Sequence, residues 1–288
     1  MSIAAKEAGA RQESDVVLRY LRPHVKFPNM WCPGCGNGVV ATSLIRAIDK
    51  LGIPRDNIVL VSGIGCSSRM PVYLDFQALH TTHGRALAFA TGVKFSRPDL
   101  KVIVITGDGD GFSIGGGHVP HAIRRNVDLT YIVMDNQIYG LTTGQVSPTS
   151  IKGMKTKTTP HGSVENSINP IPLAIVGGAT YVARAFSGKQ KHMIELFKGA
   201  IQHKGFSLVE VISNCHTYYG RLNRLGQATA LLRMFQEKAA VQDKGTNMIG
   251  EETKDTITTG IIHRDAEKTE LCDEYQKLID SLAKGKPS

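Results

Sequence analysis

Short apolar segments alternate with helical patterns along most of this chain, and each apolar segment ends in a polar or glycine-rich turn. The apolar segments are "NIVLVSGIG", "KVIVITGDGD", "DLTYIVMDN" and "FSLVEVIS". Continuous apolar runs of this kind are typical of strands that are buried on both faces of a parallel sheet. The alternation therefore predicts an α/β fold, with a mainly parallel sheet and helices on both of its faces.

The intervening segments carry helix signals. Helices are predicted in "GVVATSLIRAIDKLG", which ends at Gly52, in "HGRALAFATGVKFSRPDL", which has Pro98 beyond its end, and in "GHVPHAIRRN". Residues 171–185 and 190–204 predict a helix, a short strand near 181–183 and a longer helix. Ligands of such sheets bind beyond the carboxyl ends of the strands, which here are "GIGCSS", "GDGDG", "DNQIYG" and "NCHTYYG".

The composition is that of a large globular protein without a disulfide framework. The 288 residues are 41% hydrophobic and 20% charged, which suits a sizeable core. Five cysteines are an odd and sparse set, which favours reduced thiols that act as ligands, catalysts or core residues. No apolar run approaches the roughly 20 residues that span a bilayer, and the start of the chain carries no apolar signal segment. We expect a cytoplasmic protein with no membrane association.

The formal net charge of +9 points to acidic partners. The basic residues are spread along the chain and form no dense run or nucleic-acid motif, so we expect no nucleic-acid binding. Acidic small molecules and acidic proteins, including small electron carriers, would use the same charge.

The segment "GDGDGFSIGGGH" is the first candidate site. It lacks the ligand spacing of a calcium loop, the Gly-Lys-Ser/Thr of a Walker loop and the pattern of a dinucleotide fingerprint. Asp108 lies 28 positions before Asn136, which ends the next predicted strand. Gly-Asp-Gly followed at that distance by Asn resembles the thiamine diphosphate motif. The alternative is a plain glycine turn whose aspartates cap the next helix.

Mg²⁺ accounts for this pairing of residue types. The ion takes oxygen ligands in octahedral geometry and usually only a few from protein, with diphosphate and water completing the shell. Asp108, Asn136 and the backbone carbonyl of Ile138 can supply three of them. Glycines at 107, 109 and 111 are expected to let the backbone approach the diphosphate.

The cysteines form the second candidate site. Cys32 and Cys35 lie in "WCPGCG", while Cys66 and Cys215 each follow a predicted strand. Four thiolates could bind zinc or an iron–sulfur cluster, or the cysteines could be uninvolved core residues. The residues alone leave these alternatives open. Cys272, in "ELCDEYQ", lies outside the group and is expected to be incidental.

Both motifs together resemble one family, the beta subunits of 2-oxoacid:ferredoxin oxidoreductases. The likeness runs through "WCPGCGNG", "GIGCSSR", "HTTHGRALAFATGVK", "VITGDGDGFSIGGGHVPHAIRRN", "DNQIYGLTTGQVSPTS" and "NCHTYYG", about two-thirds of the chain. It implies the pyrophosphate-type thiamine diphosphate-binding fold. It also implies one 4Fe–4S cluster on Cys32, Cys35, Cys66 and Cys215, and Mg²⁺ on Asp108, Asn136 and Ile138.

The resemblance further implies which residues line the cofactor site. The expected set is Gly65, Cys66, Ser67, His83, Gly107, Asp108, Gly109, Asp110, Asn136, Ile138, Tyr139, Gly140, Leu141 and Thr142. His83 is a candidate for proton transfer or substrate positioning, and a histidine held only by backbone is the alternative. His118 and His121 share this ambiguity.

The implied reaction is the coenzyme A-dependent oxidative decarboxylation of a 2-oxoacid, with electrons passing through the cluster to ferredoxin. The pattern looks most like enzymes of 2-oxoglutarate, which form succinyl-CoA, and the reverse carboxylation uses the same site. Arg69 could bind the second carboxylate or could pair locally. Thr143 stands where some relatives carry lysine, which leaves pyruvate or a branched 2-oxoacid open. His216 departs from the residues common after that cysteine. A non-redox thiamine enzyme with structural zinc and a non-catalytic metal-binding module are the remaining alternatives.

The resemblance also implies partners. No carboxylate suited to the aminopyrimidine ring of the cofactor is evident, and in this family that half of the site lies on an alpha subunit. We expect an obligate alpha partner, a heterotetramer of two alpha and two beta subunits, and ferredoxin as electron acceptor. Residues 1–240 are expected to form the domain for the cofactor and the cluster. Residues 143–170 are expected to be a functional loop, and residues 241–288 an extension that contacts a partner.

Overall fold

Eight strands form a single sheet in the computed structural model, which describes residues 15–25, 29–241 and 256–284. The strands are β1 (Ile58–Ser62), β2 (Gln77–His80), β3 (Lys101–Gly107), β4 (Thr130–Asp135), β5 (Tyr181–Phe186), β6 (Ser207–Ile212), β7 (Ala239–Val241) and β8 (Ile257–Arg264). Their order across the sheet is β2-β1-β3-β4-β6-β5-β8-β7. All neighbours pair in parallel except β5 and β8, which are antiparallel.

Nine α-helices accompany the sheet in the described ranges. They are α1 (Val16–Arg19), α2 (Gly36–Leu51), α3 (Met70–Tyr73), α4 (Ala86–Ser96), α5 (Val119–Arg125), α6 (Pro170–Gly177), α7 (Gln190–Gln202), α8 (Ala228–Lys238) and α9 (Leu271–Ala283). Two π-helical turns, Asp110–Ile114 and His216–Gly220, follow the ends of β3 and β6. None of the described helices is long and apolar enough to cross a membrane.

The strands bury side chains on both faces, which is why they read as continuous apolar runs. Leu60 in β1 packs into the layer that contains α2 and α7, while its neighbour Val61 packs into the layer that contains α4, α5 and α6. The same alternation holds for Ile103 and Val104 in β3. The prediction of a mainly parallel sheet with helices on both faces is therefore confirmed.

The sequence analysis missed three strands. β2 is short and its residues are largely exposed, so it carries no continuous apolar run. β7 and β8 lie in the C-terminal part of the chain. The domain boundary that was expected at residue 240 falls inside β7. β8 pairs with β5, so the described part of the C-terminal segment belongs to the same sheet. The expected contact of this segment with a partner stays a prediction.

A buried ion pair joins α4 to the turn before β4. Lys94 Nζ lies 2.7 Å from Asp128 Oδ2, and the two side chains are only 2% and 9% exposed. Lys94 also donates a hydrogen bond of 2.8 Å to the carbonyl of Leu100. Removing one partner of a buried pair is strongly destabilising because the remaining charge has left water without compensation.

We therefore expect Lys94→Met to lower the free energy of unfolding by about 3–5 kcal/mol. Urea denaturation followed by the fluorescence of the single tryptophan, Trp31, measures the change. The double variant Lys94→Met/Asp128→Leu removes both charges and should recover most of the loss. Equal stability of the unaltered chain and Lys94→Met would contradict the prediction.

Candidate active site

The carboxyl ends of β1, β3 and β4 meet at one edge of the sheet and enclose a cleft. The cleft is lined by Ile64 and by the whole set of residues that the sequence analysis expected at the cofactor. They come from the turn after β1, the turn after β3, the turn after β4 and His83. The parallel topology thus places four distant sequence motifs in a single site.

Asp108 lies at the base of this cleft, directly after β3. Its residue is 2% exposed, and its Oδ2 lies 2.8 Å from the hydroxyl of Thr149. Burial raises the pKa of Asp108 to about 6, while hydrogen bonds from Ser147 and Thr149 act in the opposite direction. The structure therefore keeps a carboxylate in a place where water does not compensate its charge.

The hydroxyl of Thr149 also lies 2.7 Å from Oδ1 of Asp135, at the end of β4. Burial, together with the nearby carboxylates of Asp108 and Glu210, raises the pKa of Asp135 well above its ordinary value. A hydroxyl has one hydrogen to donate. A protonated Asp135 that donates to Thr149, with Thr149 donating to Asp108, satisfies both contacts.

The turn after β4 holds the other two expected magnesium ligands. The N–H of Ile138 donates to Asn136 Oδ1 at 3.2 Å, and the N–H of Gln137 donates to Asp135 Oδ1 at 2.9 Å. Gln137 adopts a φ of +62°, and Ser150 donates a hydrogen bond of 2.7 Å to its carbonyl. These bonds fix the turn so that Asn136 and Ile138 line the cleft beside Asp108.

The glycines of the motif are explained mainly by protein packing, which corrects one expectation. A Cβ on Gly109 would lie 2.4 Å from the ring of Tyr139, and a Cβ on Gly111 would lie 2.0 Å from the hydroxyl of Tyr131. Gly111 does not line the cleft, so its role is to accommodate Tyr131 rather than a diphosphate. Gly109 does line it, and its carbonyl accepts a hydrogen bond of 2.9 Å from Tyr139.

Asp110 connects two loops at the cleft wall. Its Oδ1 accepts hydrogen bonds from the N–H groups of Gly84 at 2.7 Å and Ile64 at 3.3 Å. Nδ1 of His83 lies 2.5 Å from the same oxygen. Burial raises the pKa of Asp110, and the two backbone bonds and His83 lower it. The contacts of Asp110 place it as a support for His83.

Four of the five cysteines lie together next to the cleft. Burial is the main cause that raises the pKa of Cys35 to about 12, and the thiols of Cys215, Cys66 and Cys32 add to it electrostatically. All four are free of disulfides. Cys66 belongs both to this group and to the lining of the cleft. The structure therefore joins the two candidate sites through one side chain.

Backbone and side-chain hydrogen bonds hold the cysteine loops in place. The side-chain amide of Asn214, next to Cys215, donates to the carbonyl of Gly34 at 2.8 Å. The indole of Trp31 donates to the carbonyl of Cys66 at 2.7 Å. Among the described residues, no three His, Cys, Asp or Glu side chains are grouped so that they could hold a single metal ion.

The remaining predicted residues lie away from the cleft lining. Arg69 follows Cys66 in a short helical turn. Burial raises the pKa of Cys66 to about 11, and the charge of Arg69 acts in the opposite direction. Burial lowers the pKa of His80, and the charge of Arg69 adds to this effect. His118 and His121 lie at the start of α5 and do not line the cleft. Cys272 is buried in α9, in the core layer that contains α4 to α6. A substrate-binding role for Arg69 and a catalytic role for His83 stay predictions.

Sequence reasoning missed Thr149 and Asp135 as parts of the site. Thr149 lies in the expected functional loop, and a hydroxyl there gives no sign of the strand end it will reach. Both residues also line a second, larger cavity of about 860 Å³ on the other side of the Gln137 turn. That cavity contains none of the predicted site residues, so the candidate active site is the smaller cleft.

Comparisons with known proteins agree with this geometry. Residues 63–211 match the family model described as "Thiamine pyrophosphate enzyme, C-terminal TPP binding domain". The 2-oxoglutarate synthase subunit KorB of Methanocaldococcus jannaschii is 46% identical over 265 residues, which cover 92% of this chain and 97% of that protein. The subunit of the same name from Archaeoglobus fulgidus is 47% identical over 268 residues, which cover 92% of this chain and 95% of that one.

A solved structure is also similar. It is the 2-oxoglutarate:ferredoxin oxidoreductase from Magnetococcus marinus with 2-oxoglutarate, coenzyme A and succinyl-CoA bound. The TM-score is 0.85 at 40% sequence identity, with 94% of this chain and 92% of that chain covered. Likeness of sequence and fold over nearly the whole length of both proteins shows the family. The chain belongs to the 2-oxoglutarate synthase subunit KorB family of thiamine pyrophosphate enzymes.

Proposed function

We propose that this chain is the thiamine diphosphate- and cluster-binding subunit of a 2-oxoglutarate:ferredoxin oxidoreductase. The observation that carries the proposal is the position of Cys66, which lines the cofactor cleft and belongs to the group of four thiols. An electron acceptor on those thiols would lie directly beside the reacting cofactor. The family supports the same assignment, since its members are named as 2-oxoglutarate synthase subunits.

The cleft suits Mg²⁺ and a diphosphate. Asp108 is a buried carboxylate beside the side-chain amide of Asn136, and the carbonyl of Ile138 is the third oxygen of the proposed set. Mg²⁺ prefers such oxygen ligands and keeps room for phosphate oxygens and water. A bound cation would also offset the burial of Asp108, which the protein alone compensates through hydrogen bonds from Ser147, Thr149 and the backbone N–H groups of residues 108 and 136.

The cysteine group suits a 4Fe–4S cluster. Thiolates are the usual ligands of these clusters, and Cys32, Cys35, Cys66 and Cys215 supply four. Burial favours the neutral thiols of Cys35, Cys66 and Cys215, so ligation by a metal centre is what would hold them as thiolates. The odd cysteine, Cys272, is buried elsewhere and has no part in the set.

When bound, thiamine diphosphate supplies the electron sink for decarboxylation of a 2-oxoacid. The residues of this chain hold and orient it. Asp108 and Asn136 fix the metal end, Tyr139 closes the cleft over Gly109, and Asp110 positions His83. His83 is 25% exposed at this wall, which supports a role in contacting the substrate.

The activity needs further components. We propose a partner subunit that completes the pyrimidine half of the cofactor site, in a heterotetramer of two copies of each chain. Coenzyme A accepts the acyl group as succinyl-CoA, and ferredoxin accepts the electrons. The names of the relatives as subunits support a partner chain, and the similar solved structure was obtained with 2-oxoglutarate, coenzyme A and succinyl-CoA.

Anaerobic absorption and EPR spectra of the complex, before and after 2-oxoglutarate and coenzyme A are added, test the proposed function. We expect a brown protein with about four iron atoms per chain, whose chromophore is reduced by the substrates. A colourless protein that contains zinc without iron would instead indicate a non-redox thiamine enzyme. Reduction by pyruvate alone would change the assigned substrate.

The cysteine assignment predicts that the iron content depends on the four grouped cysteines and not on Cys272. Cys66→Ala should remove most of the iron and the visible absorption, because a cluster that loses one thiolate is poorly held. Cys272→Ala is the matched control, since it removes a buried thiol far from the group and should retain all the iron. Iron analysis of both variants decides, and equal iron contents would contradict the assignment.

The metal assignment predicts that cofactor and cluster can be lost separately. Asp108→Ala should weaken Mg²⁺-dependent binding of thiamine diphosphate by at least about 100-fold, in line with the loss of a ligand at a metal site. The iron content should stay unchanged, because the side-chain hydrogen bonds of Asp108 come from Ser147 and Thr149 and not from a cysteine. Calorimetric titration with the cofactor and iron analysis of the same sample make the comparison. Loss of both groups together would count against two separable sites.

The packing of Gly109 predicts a steric effect on the same binding. Gly109→Ala forces its Cβ against the Tyr139 ring, so the cleft must deform and the affinity for the cofactor should fall about tenfold or more. Gly117→Ala is the control, because no heavy atom lies within 4 Å of its added Cβ. The dissociation constants of the two variants are compared at saturating Mg²⁺. Unchanged affinity in Gly109→Ala would show that Tyr139 is not part of the cofactor wall.

A further inference from the structure

The sequence around the four grouped cysteines contains no acidic residues. Cys32 and Cys35 lie in residues 16–48, Cys66 in 57–74 and Cys215 in 211–236, and none of these stretches contains Asp or Glu. Residues 136–164, which contain the functional loop up to Glu165, have none either. These four stretches together carry eleven Lys or Arg residues. In sequence, the segments that carry the cysteines are therefore strongly basic.

Hydrogen bonds at the surface join two of these stretches, residues 136–164 and 211–236. The side chain of Asn223 accepts a hydrogen bond of 2.7 Å from the N–H of Lys155 and donates one of 3.0 Å to its carbonyl. Lys157 Nζ lies 5.8 Å from the centre of the Tyr218 ring. The loop lysines thus lie against the π-helical turn that follows Cys215.

We define the basic rim as Lys155, Lys157, Arg221 and Arg224, all of which are exposed. Within the described ranges, none of the four forms an ion pair with Asp or Glu. Arg221 and Arg224 line a concave surface together with His216, the residue directly after Cys215. Unpaired basic groups on a concave surface concentrate their field on whatever binds there.

The basic rim is next to the outermost cysteine loop. A Cβ on Gly34, between Cys32 and Cys35, would lie 3.8 Å from His216 Cε1 and 2.6 Å from the Cβ of Ala228. Cys32 itself is exposed, whereas Cys35, Cys66 and Cys215 are partly buried. Electrons that leave the cysteine group by way of Cys32 therefore emerge beside the rim.

We infer that the basic rim is the docking surface of an acidic one-electron carrier protein. The inference rests on the proposed function and adds where the carrier binds: over Cys32, with its acidic side chains facing Lys155, Lys157, Arg221 and Arg224. Transient redox complexes have small interfaces, and complementary charge serves mainly to speed association. One electron passes at each encounter from the reduced centre to the oxidised carrier, with no bond made or broken.

Two variants that remove the same charge test this surface in the complete complex. Arg221→Gln/Arg224→Gln removes two positive charges from the rim. Arg124→Gln/Arg125→Gln removes two exposed charges at the end of α5, where the chain turns into β4 at the opposite, amino edge of the sheet. Any effect of net charge alone is equal in the two proteins.

The measured quantity is the second-order rate constant for reduction of a purified, acidic 4Fe–4S ferredoxin, with 2-oxoglutarate and coenzyme A as the electron source. At low ionic strength we expect the rim variant to be slower by about threefold to tenfold and to show a weaker salt dependence. The control variant should stay within about twofold of the unaltered complex. Reduction of the enzyme's own chromophore by substrate, measured without ferredoxin, should be the same in all three.

The outcomes separate the inference from the function on which it rests. If substrates fail to reduce the chromophore of the unaltered complex, the proposed function fails, and the docking surface fails with it. If the chromophore is reduced normally but both variants transfer electrons to ferredoxin at the same rate, the docking surface alone is wrong. A slower rim variant whose own chromophore is reduced at the normal rate supports it.

Discussion

The buried carboxylate of Asp108 is the constraint around which this edge of the sheet is built. A carboxylate at the end of an apolar strand has lost its water, and it stays in place only if other groups compensate it. Here Thr149 supplies the compensation from a loop that follows the next strand, within hydrogen-bonding distance of both Asp108 and Asp135. The long loop is therefore a structural partner of the sheet. Ser150 strengthens this link through its bond to the Gln137 carbonyl.

The same edge shows why glycine-rich motifs are difficult to interpret from sequence. Positions 109 and 111 need glycine because tyrosine side chains occupy the space beside them. One tyrosine comes from the turn after β4 and the other from β4 itself. From the sequence alone, both glycines were expected to let the backbone approach a ligand. Only the register of β3 and β4 shows that Tyr131 reaches Gly111 while Tyr139 reaches Gly109. Close packing by the protein and close approach to a ligand thus use the same residue type.

Much of the sheet could be predicted because its central strands are buried on both faces. β1, β3, β4 and β6 appear in the sequence as uninterrupted apolar runs, and their order with the helices indicates a parallel sheet. β2 and β8 could not be found in this way, since β2 is largely exposed and β8 mixes polar and apolar residues in a polar segment. The cleft was predictable because strand ends converge. Thr149, Asp135 and the support of His83 by Asp110 depend on tertiary contacts that no local pattern records.

Buried carboxylates lie at the strand ends next to the cysteine group, whereas the basic rim is exposed. Asp108, Asp110 and Asp135 lie in the interior at the ends of β3 and β4, where a divalent cation would balance them. On the surface next to the cysteine group, the four residues of the basic rim are exposed and form no ion pair with Asp or Glu within the described ranges. With the inferred docking surface, a negatively charged carrier would be attracted to the basic rim and would stay away from the buried carboxylates of the cleft. Cys66, in the wall of the cleft and in the cysteine group, would then connect the proposed cofactor site with the proposed cluster.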